Sequence, residues 1–367
     1  MTERVSSASL CVVLLAFVLG MTGLIADQQT PTLQTPTLQT PNQQAPNQQA
    51  PARGRGRGPG APAPSILADG DFTISPPWAN AAELVFDNNI PHGTVHRFTM
   101  KSTDSKIYKG ISRDQPGAVV PYERPVAVYV PAQYVPGTAA PFIVVQDGYN
   151  PKYHLTVPVV LDKLIADKKL PVMIAVLVQH GGGDGPGSQR GLEYDTVSGT
   201  YTDFIETEVL PRVVKDYKVT LTKDPEGRAT MGGSSGAACA MAMAWFHPEL
   251  YRRVLSYSGT FVNQARPSTE LAPRGAWEYH ATLIPNAEKK PIRIWMEVGE
   301  FDNGATRDES TFGNWILANR HMAAVLKEKG YPYRFVYAEG ARHTDPGVIL
   351  QTLPQALQWL WQGYPIK

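Results

Sequence analysis

Cysteine is almost missing from this chain, with Cys11 and Cys239 the only two in 367 residues. Cys11 lies in an apolar amino-terminal segment, so no disulfide framework can staple the fold, and stability must come from buried apolar surface. Cys239, set among Ala237, Ala238, Ala240 and Met241, reads as a buried and inert thiol. Net charge is equally scarce. With 34 basic and 33 acidic residues, nothing draws the chain to nucleic acid or to an anionic membrane surface. The eight histidines show no metal-ligand spacing, and the glycine-rich stretch after His180 lacks the Gly-Lys-Ser/Thr ending of a phosphate loop. No metal and no other cofactor is expected.

Long hydrophobic runs are also few. The one of note follows Arg4 and spans 10–26, the charged-then-apolar order of a secretory signal peptide over 1–26, with an uncleaved anchor as the alternative. Export to the periplasm or the extracellular space is therefore expected. Residues 27–64 repeat Pro-Thr-Leu-Gln-Thr and Pro-Asn-Gln-Gln-Ala before Arg53-Gly-Arg-Gly-Arg-Gly. This composition has almost nothing to bury, so it predicts a disordered spacer.

From 65 to 367 the pattern is that of one folded domain. Apolar runs of strand length fall at 95–100, 125–130, 142–145, 172–178, 229–231, 254–257, 292–298 and 333–337. Helical periodicity falls between them, at 159–166, 204–217, 237–246, 314–329 and 353–361. This alternation predicts an α/β fold, a mostly parallel sheet with helices on both faces.

The chemistry concentrates in Gly232-Gly-Ser234-Ser-Gly236, placed after a strand and before an alanine-rich helix. Glycines two positions either side of a serine let strand and helix close around a sharp turn, exposing the serine at its tip. Ser235, between Gly233 and Ala237, offers a second frame. A serine nucleophile needs a base, and the base needs a carboxylate to orient it. Downstream, Asp302 follows one strand and His343 the next, which gives the order Ser234, Asp302, His343; Glu300 and Asp308 compete for the acid role. The oxyanion donors are expected to be the backbone of Ser235 and of Gly148 and Tyr149. His180-Gly-Gly-Gly183 resembles an oxyanion motif but follows the wrong strand, so 181–187 is read as a flexible loop at the site. Two stretches should border the substrate: loop 181–201 with Arg190, Glu193 and Tyr194, and insertion 262–290 with Trp277, Tyr279 and His280. Arg190 could hold a carboxylate or catecholate, or could pair with Glu193 and pin the loop.

With these residues in hand, the chain resembles the enterochelin esterase family and the esterase D-like group of α/β-hydrolases. The likeness rests on Val126-Ala-Val-Tyr-Val-Pro131, Gln146-Asp-Gly148, Arg190-Gly-Leu-Glu193-Tyr194, the Ser234 elbow, Gly299-Glu-Phe-Asp302 and Gly340-Ala-Arg-His343. It implies an α/β-hydrolase fold and a serine carboxylesterase acting on a small-molecule or glycan-linked ester. A feruloyl or acetyl polysaccharide esterase, an acyltransferase, and a surface-binding protein on a retained hydrolase fold are the alternatives.

Overall fold

The computed structural model describes residues 65, 67–112, 114, 115, 117–148, 153 and 156–366. The signal peptide and spacer expected over 1–64 lie outside the described residues. All described residues belong to one unit, Ala61–Lys367.

Among the described residues eleven strands form: β1 (Gly70–Ile74), β2 (Thr94–Lys101), β3 (Glu123–Val130), β4 (Ala139–Ala140), β5 (Phe142–Gln146), β6 (Ile174–Val178), β7 (Thr220–Leu221), β8 (Arg228–Gly233), β9 (Arg253–Tyr257), β10 (Arg293–Phe301) and β11 (Tyr333–Arg342). Nine make one sheet in the spatial order β1-β11-β10-β9-β8-β5-β6-β3-β2, and β4 pairs with β7 apart from it. Only β3 runs against its neighbours; every other adjacent pair in the large sheet is parallel. This is an α/β-hydrolase fold.

Parallel strands covered on both faces are apolar at nearly every position, and those here divide their side chains between two cores. Phe142 and Val144 of β5, Val254 of β9, and Ile294 and Met296 of β10 face a core that includes Ala240, Met243 and Met322. Ile143, Val145, Ala229, Leu255 and Trp295 face the other, built with Leu161, Leu164 and Leu357. The helices Ser235–Phe246 and Trp315–Glu328 supply the first core, and Thr156–Ala166 and Pro346–Leu360 the second. Such packing brings the carboxyl ends of β5, β6, β8, β9, β10 and β11 to one edge, where open α/β sheets place their ligands.

Several elements depart from the sequence expectation, the short strands β4 and β7 among them. β1 sits at the sheet edge beside β11, where no strand is expected. The segment read as a loop over 181–201 contains the helix Gln189–Tyr194, capped by Ser188, whose hydroxyl accepts from Gly191 N. The glycine-rich loop before it is tied down: Ser188 Oγ donates to Gly185 O at 2.7 Å, and Gly182 N to His180 Nδ1 at 2.9 Å.

Candidate active site

β8 ends at Gly233 and the helix Ser235–Phe246 begins two residues later, leaving Ser234 at φ 57°, ψ −128°. A β-carbon disfavours this region by about 1–3 kcal/mol, so the surroundings must hold it. They do so through the backbone. Ser234 N donates to Tyr257 O at 2.9 Å, and Ser234 O accepts from Ala237 N and Thr260 N. The flanking glycines are required sterically. A β-carbon at Gly232 would lie 2.4 Å from the backbone of Gly236, and one at Gly233 would lie 2.4 Å from Tyr153 Oη. Ser235 faces inward, wholly buried, its hydroxyl receiving the Gln264 amide at 3.2 Å.

At the ends of β10 and β11 the chain turns and delivers Asp302 and His343. His343 Nε2 lies 2.8 Å from Ser234 Oγ, and His343 Nδ1 lies 2.5 Å from Asp302 Oδ1. A carboxylate facing Nδ1 keeps the proton there and leaves Nε2 an acceptor for the serine hydroxyl. The Asp302 side chain is fully buried. Its rivals are placed elsewhere: Glu300 accepts from Gly340 N at 2.8 Å, and Asp308 is exposed at the start of a 3-10 turn. Trp315 packs edge-on against the His343 ring and donates from Nε1 to Thr260 Oγ1, itself 3.3 Å from Ser234 Oγ.

A further carboxyl, Glu297 on β10, escaped the sequence reading. It is fully buried, neither oxygen has a partner among the described residues, and burial, then the charges of Asp302 and Asp345, push its pKa well above the usual range. Held neutral, it adds no second negative charge beside Asp302. The one signal in the sequence is a glutamate interrupting an otherwise apolar strand, Ile294-Trp-Met-Glu297-Val298.

The turn after β5 forms the opposite wall. Asp147 adopts φ 54°, held by Arg190 through Nη2 to Oδ2 at 2.6 Å and Nε to Oδ1 at 3.3 Å, while Asp147 N donates to Tyr194 Oη at 3.2 Å. The four residues expected to contact substrate thus divide differently. Arg190 is held by Asp147 and, through Nη1, by Asp184, and does not pair with Glu193. Glu193 instead takes a bidentate pair from buried Arg124 at 2.6 and 2.8 Å and hydrogen bonds from Tyr122 and Gln189. Tyr194 is buried and braces the turn. Trp277 is also buried, ringed by His280, Phe312 and His321 beside another cavity. Of the four, Arg190 alone reaches the cavity of Ser234.

Among the expected oxyanion donors, the Ser235 N–H occupies the first turn of a helix, where no intrahelical acceptor exists. The Gly148 N–H is already donated to Val178 O at 3.2 Å, because the turn folds back over β6. Tyr149 lies outside the described residues. A cavity of about 320 Å³ opens above these groups, lined by Ser234, His343, Asp147, His180, Asp184 and Arg190 among others. Among the described residues, no group of three or more histidine, cysteine or acidic side chains could hold a metal ion, and no helix is long and apolar enough to cross a membrane.

Residues 118–357 match the family described as Putative esterase. The chain belongs to that esterase family. No curated protein matches it. Among solved structures it is similar to an enterobactin esterase from Shigella flexneri (18% identity, TM-score 0.52, covering 75% of this chain). A ferulic acid esterase gives 19% identity and a TM-score of 0.52 over 74% of this chain. The feruloyl esterase module of Clostridium thermocellum, solved with sinapinate, gives 14% and 0.51 over 81%. The chain spans 62% of the enterobactin esterase chain but 99% and 97% of the other two. At these identities the likeness establishes a shared fold.

Proposed function

We propose that this esterase hydrolyses a carboxylic ester through an acyl-enzyme formed on Ser234. The observation that carries the reading is the unbroken hydrogen-bonded chain from Ser234 Oγ through His343 to Asp302, with the serine held in the strained conformation of an exposed elbow. Ser234 Oγ attacks the ester carbonyl as His343 Nε2 takes its proton; Asp302 holds the ring and stabilises the imidazolium. The carbonyl oxygen, now negative, meets the Ser235 N–H at the positive end of a helix dipole. As the C–O bond to the alcohol breaks, His343 returns the proton to the leaving oxygen. Water then repeats the sequence on the acyl-enzyme, releasing the acid and restoring the serine.

The substrate is a small-molecule or glycan-linked ester met outside the cytoplasm, to which signal peptide 1–26 would direct the chain. Enterobactin-type esters are the first class to test. A feruloyl-type ester is the second reading, favoured by the near-complete length match to the feruloyl and ferulic acid esterases. A fluorophosphonate probe should label the purified protein at Ser234, and Ser234→Ala should abolish labelling and lower kcat by several orders of magnitude, about 10⁶ in the serine protease precedent. Ser235→Ala should still be labelled, since only its backbone N–H faces the site. Labelling of the Ser234 variant, or loss of it in the Ser235 variant, would overturn the assignment.

A further inference from the structure

His180 opens the glycine-rich motif rejected above as an oxyanion loop, yet its side chain lines the same cavity as Ser234 and His343. Its chemistry there is fixed by its neighbours. Gly182 N donates to Nδ1 at 2.9 Å, so Nδ1 is an acceptor and the proton of the neutral ring sits on Nε2. Burial lowers the pKa of the ring; Asp147 opposes that shift and Arg190 reinforces it. The lowered pKa favours the neutral ring, whose single N–H is the one on Nε2, and the residue lines the cavity.

Among the described residues that N–H has no hydrogen-bond acceptor. Nε2 lies 3.7 Å from Asp147 Oδ1, beyond hydrogen-bonding distance. Asp147 cannot swing to close the gap, because Arg190 grips both its oxygens and Asp147 N is held by Tyr194. His180 is fixed in turn by its Gly182 bond and by the edge-on Tyr194 ring at 6.1 Å. The result is a rigid donor facing a rigid acceptor across a gap too wide for a direct bond. One oxygen atom placed ~2.8 Å from each completes two hydrogen bonds, accepting from the imidazole and donating to the carboxylate. Only an oxygen that can both accept and donate fits, which selects a hydroxyl over an ether, a carbonyl or a methyl group.

We propose that His180 and Asp147 form a hydroxyl-recognition subsite, so that this esterase prefers esters bearing a hydroxyl group that reaches the gap when the carbonyl is at Ser234. β6, which leads to His180, lies beyond β5 as seen from β8, so the hydroxyl is remote from the reacting carbonyl and acts on specificity. The inference rests on the Ser234 reading.

The test compares kcat/KM for matched esters on both sides of the carbonyl: methyl cinnamate against its 3- and 4-hydroxy derivatives, and ethyl acetate against glycerol monoacetate. The wild type should favour the hydroxylated member of at least one pair by about tenfold or more, in keeping with one or two hydrogen bonds at a partly buried site. His180→Leu should bring that ratio to near one, and His180→Gln, which keeps an N–H donor, should restore part of it. Thermal melting confirms that both variants are folded. Ratios near one for every pair in the wild type, or equal losses on both members of a pair in His180→Leu, would overturn the subsite. Fluorophosphonate labelling of the wild type separates that outcome from failure of the esterase reading.

Discussion

Arg190→Ala distinguishes a residue that braces the site from one that reads the substrate. The guanidinium is about nine-tenths buried and doubly bonded to Asp147, whose own side chain is 12% exposed. At hydrogen-bond separation and an effective dielectric near 20, such a pair attracts by about 4 kcal/mol or more, and desolvation of both partners offsets much of that in the intact protein. Removing only the arginine leaves the desolvated carboxylate without its partner, so the loss should be about 3–5 kcal/mol. The contact with Asp184 adds little, because that carboxylate is 82% exposed, and Asp184→Asn should change stability by about 1 kcal/mol at most. The turn at Asp147 would relax from φ 54°, and a displacement of about 1 Å near the reacting carbon can lower kcat by about 10²-fold. Urea unfolding at pH 7 measures the first effect and a kinetic panel of anionic and neutral esters the second. The expected signature is a large stability loss and a general fall in kcat with the order of substrates preserved. A stable variant that reorders anionic against neutral esters by tenfold would refute the bracing argument and return Arg190 to substrate recognition.

Asp302→Asn should lower kcat by about 10² to 10⁴ by allowing His343 the wrong tautomer, whereas Glu300→Gln, which disturbs only the bond to Gly340 N, should cost far less; the reverse order would move the acid role. His280 has its pKa pushed down to about 3, first by burial and then by His321. Because the folded value lies below the unfolded one, its contribution is complete above pH 6.5 and is lost as pH falls through the window toward 3. Wild type should therefore lose about 2–3 kcal/mol more than His280→Gln between pH 7 and pH 4.5 in urea titrations; parallel losses would show an ordinary histidine.

The legible parts of this chain are those encoded locally. Buried parallel strands announce themselves as short apolar runs, and the eight expected strands all form. The Gly232-x-Ser234-x-Gly236 elbow is equally local, because the colliding atoms belong to residues four apart. What escaped the sequence depends on partners distant in the chain. β1 is a half-exposed stretch, Gly-Asp-Phe-Thr-Ile, that becomes a strand only against β11, where Gly70 meets Arg334. The partner of Arg190 is 43 residues away at Asp147, and that of Glu193 is 69 away at Arg124. Nearness in sequence made an Arg190–Glu193 pair plausible, but on a helix of six residues the two diverge to different neighbours. Trp277 looked like a substrate platform because it is aromatic and follows β9; its burial against Phe312 and His321 depends on how the expected helix Trp315–Glu328 packs against it, a contact between residues far apart in the chain.

β1 also bears on where the folding unit begins. The family match starts at residue 118, but the edge of β11 is sealed by Gly70–Ile74, and β2 covers the other flank from Thr94. A fragment trimmed to the matched region would leave unpaired backbone groups along β11, the strand that presents His343, and would open a template for strand exchange between molecules. The same cut at residue 357 would shorten the helix Pro346–Leu360 and remove Trp359 and Leu360 from the second core. For this chain, the segment that matches the family and the segment that completes the sheet are different lengths, and the difference falls beside the base of the proposed reaction.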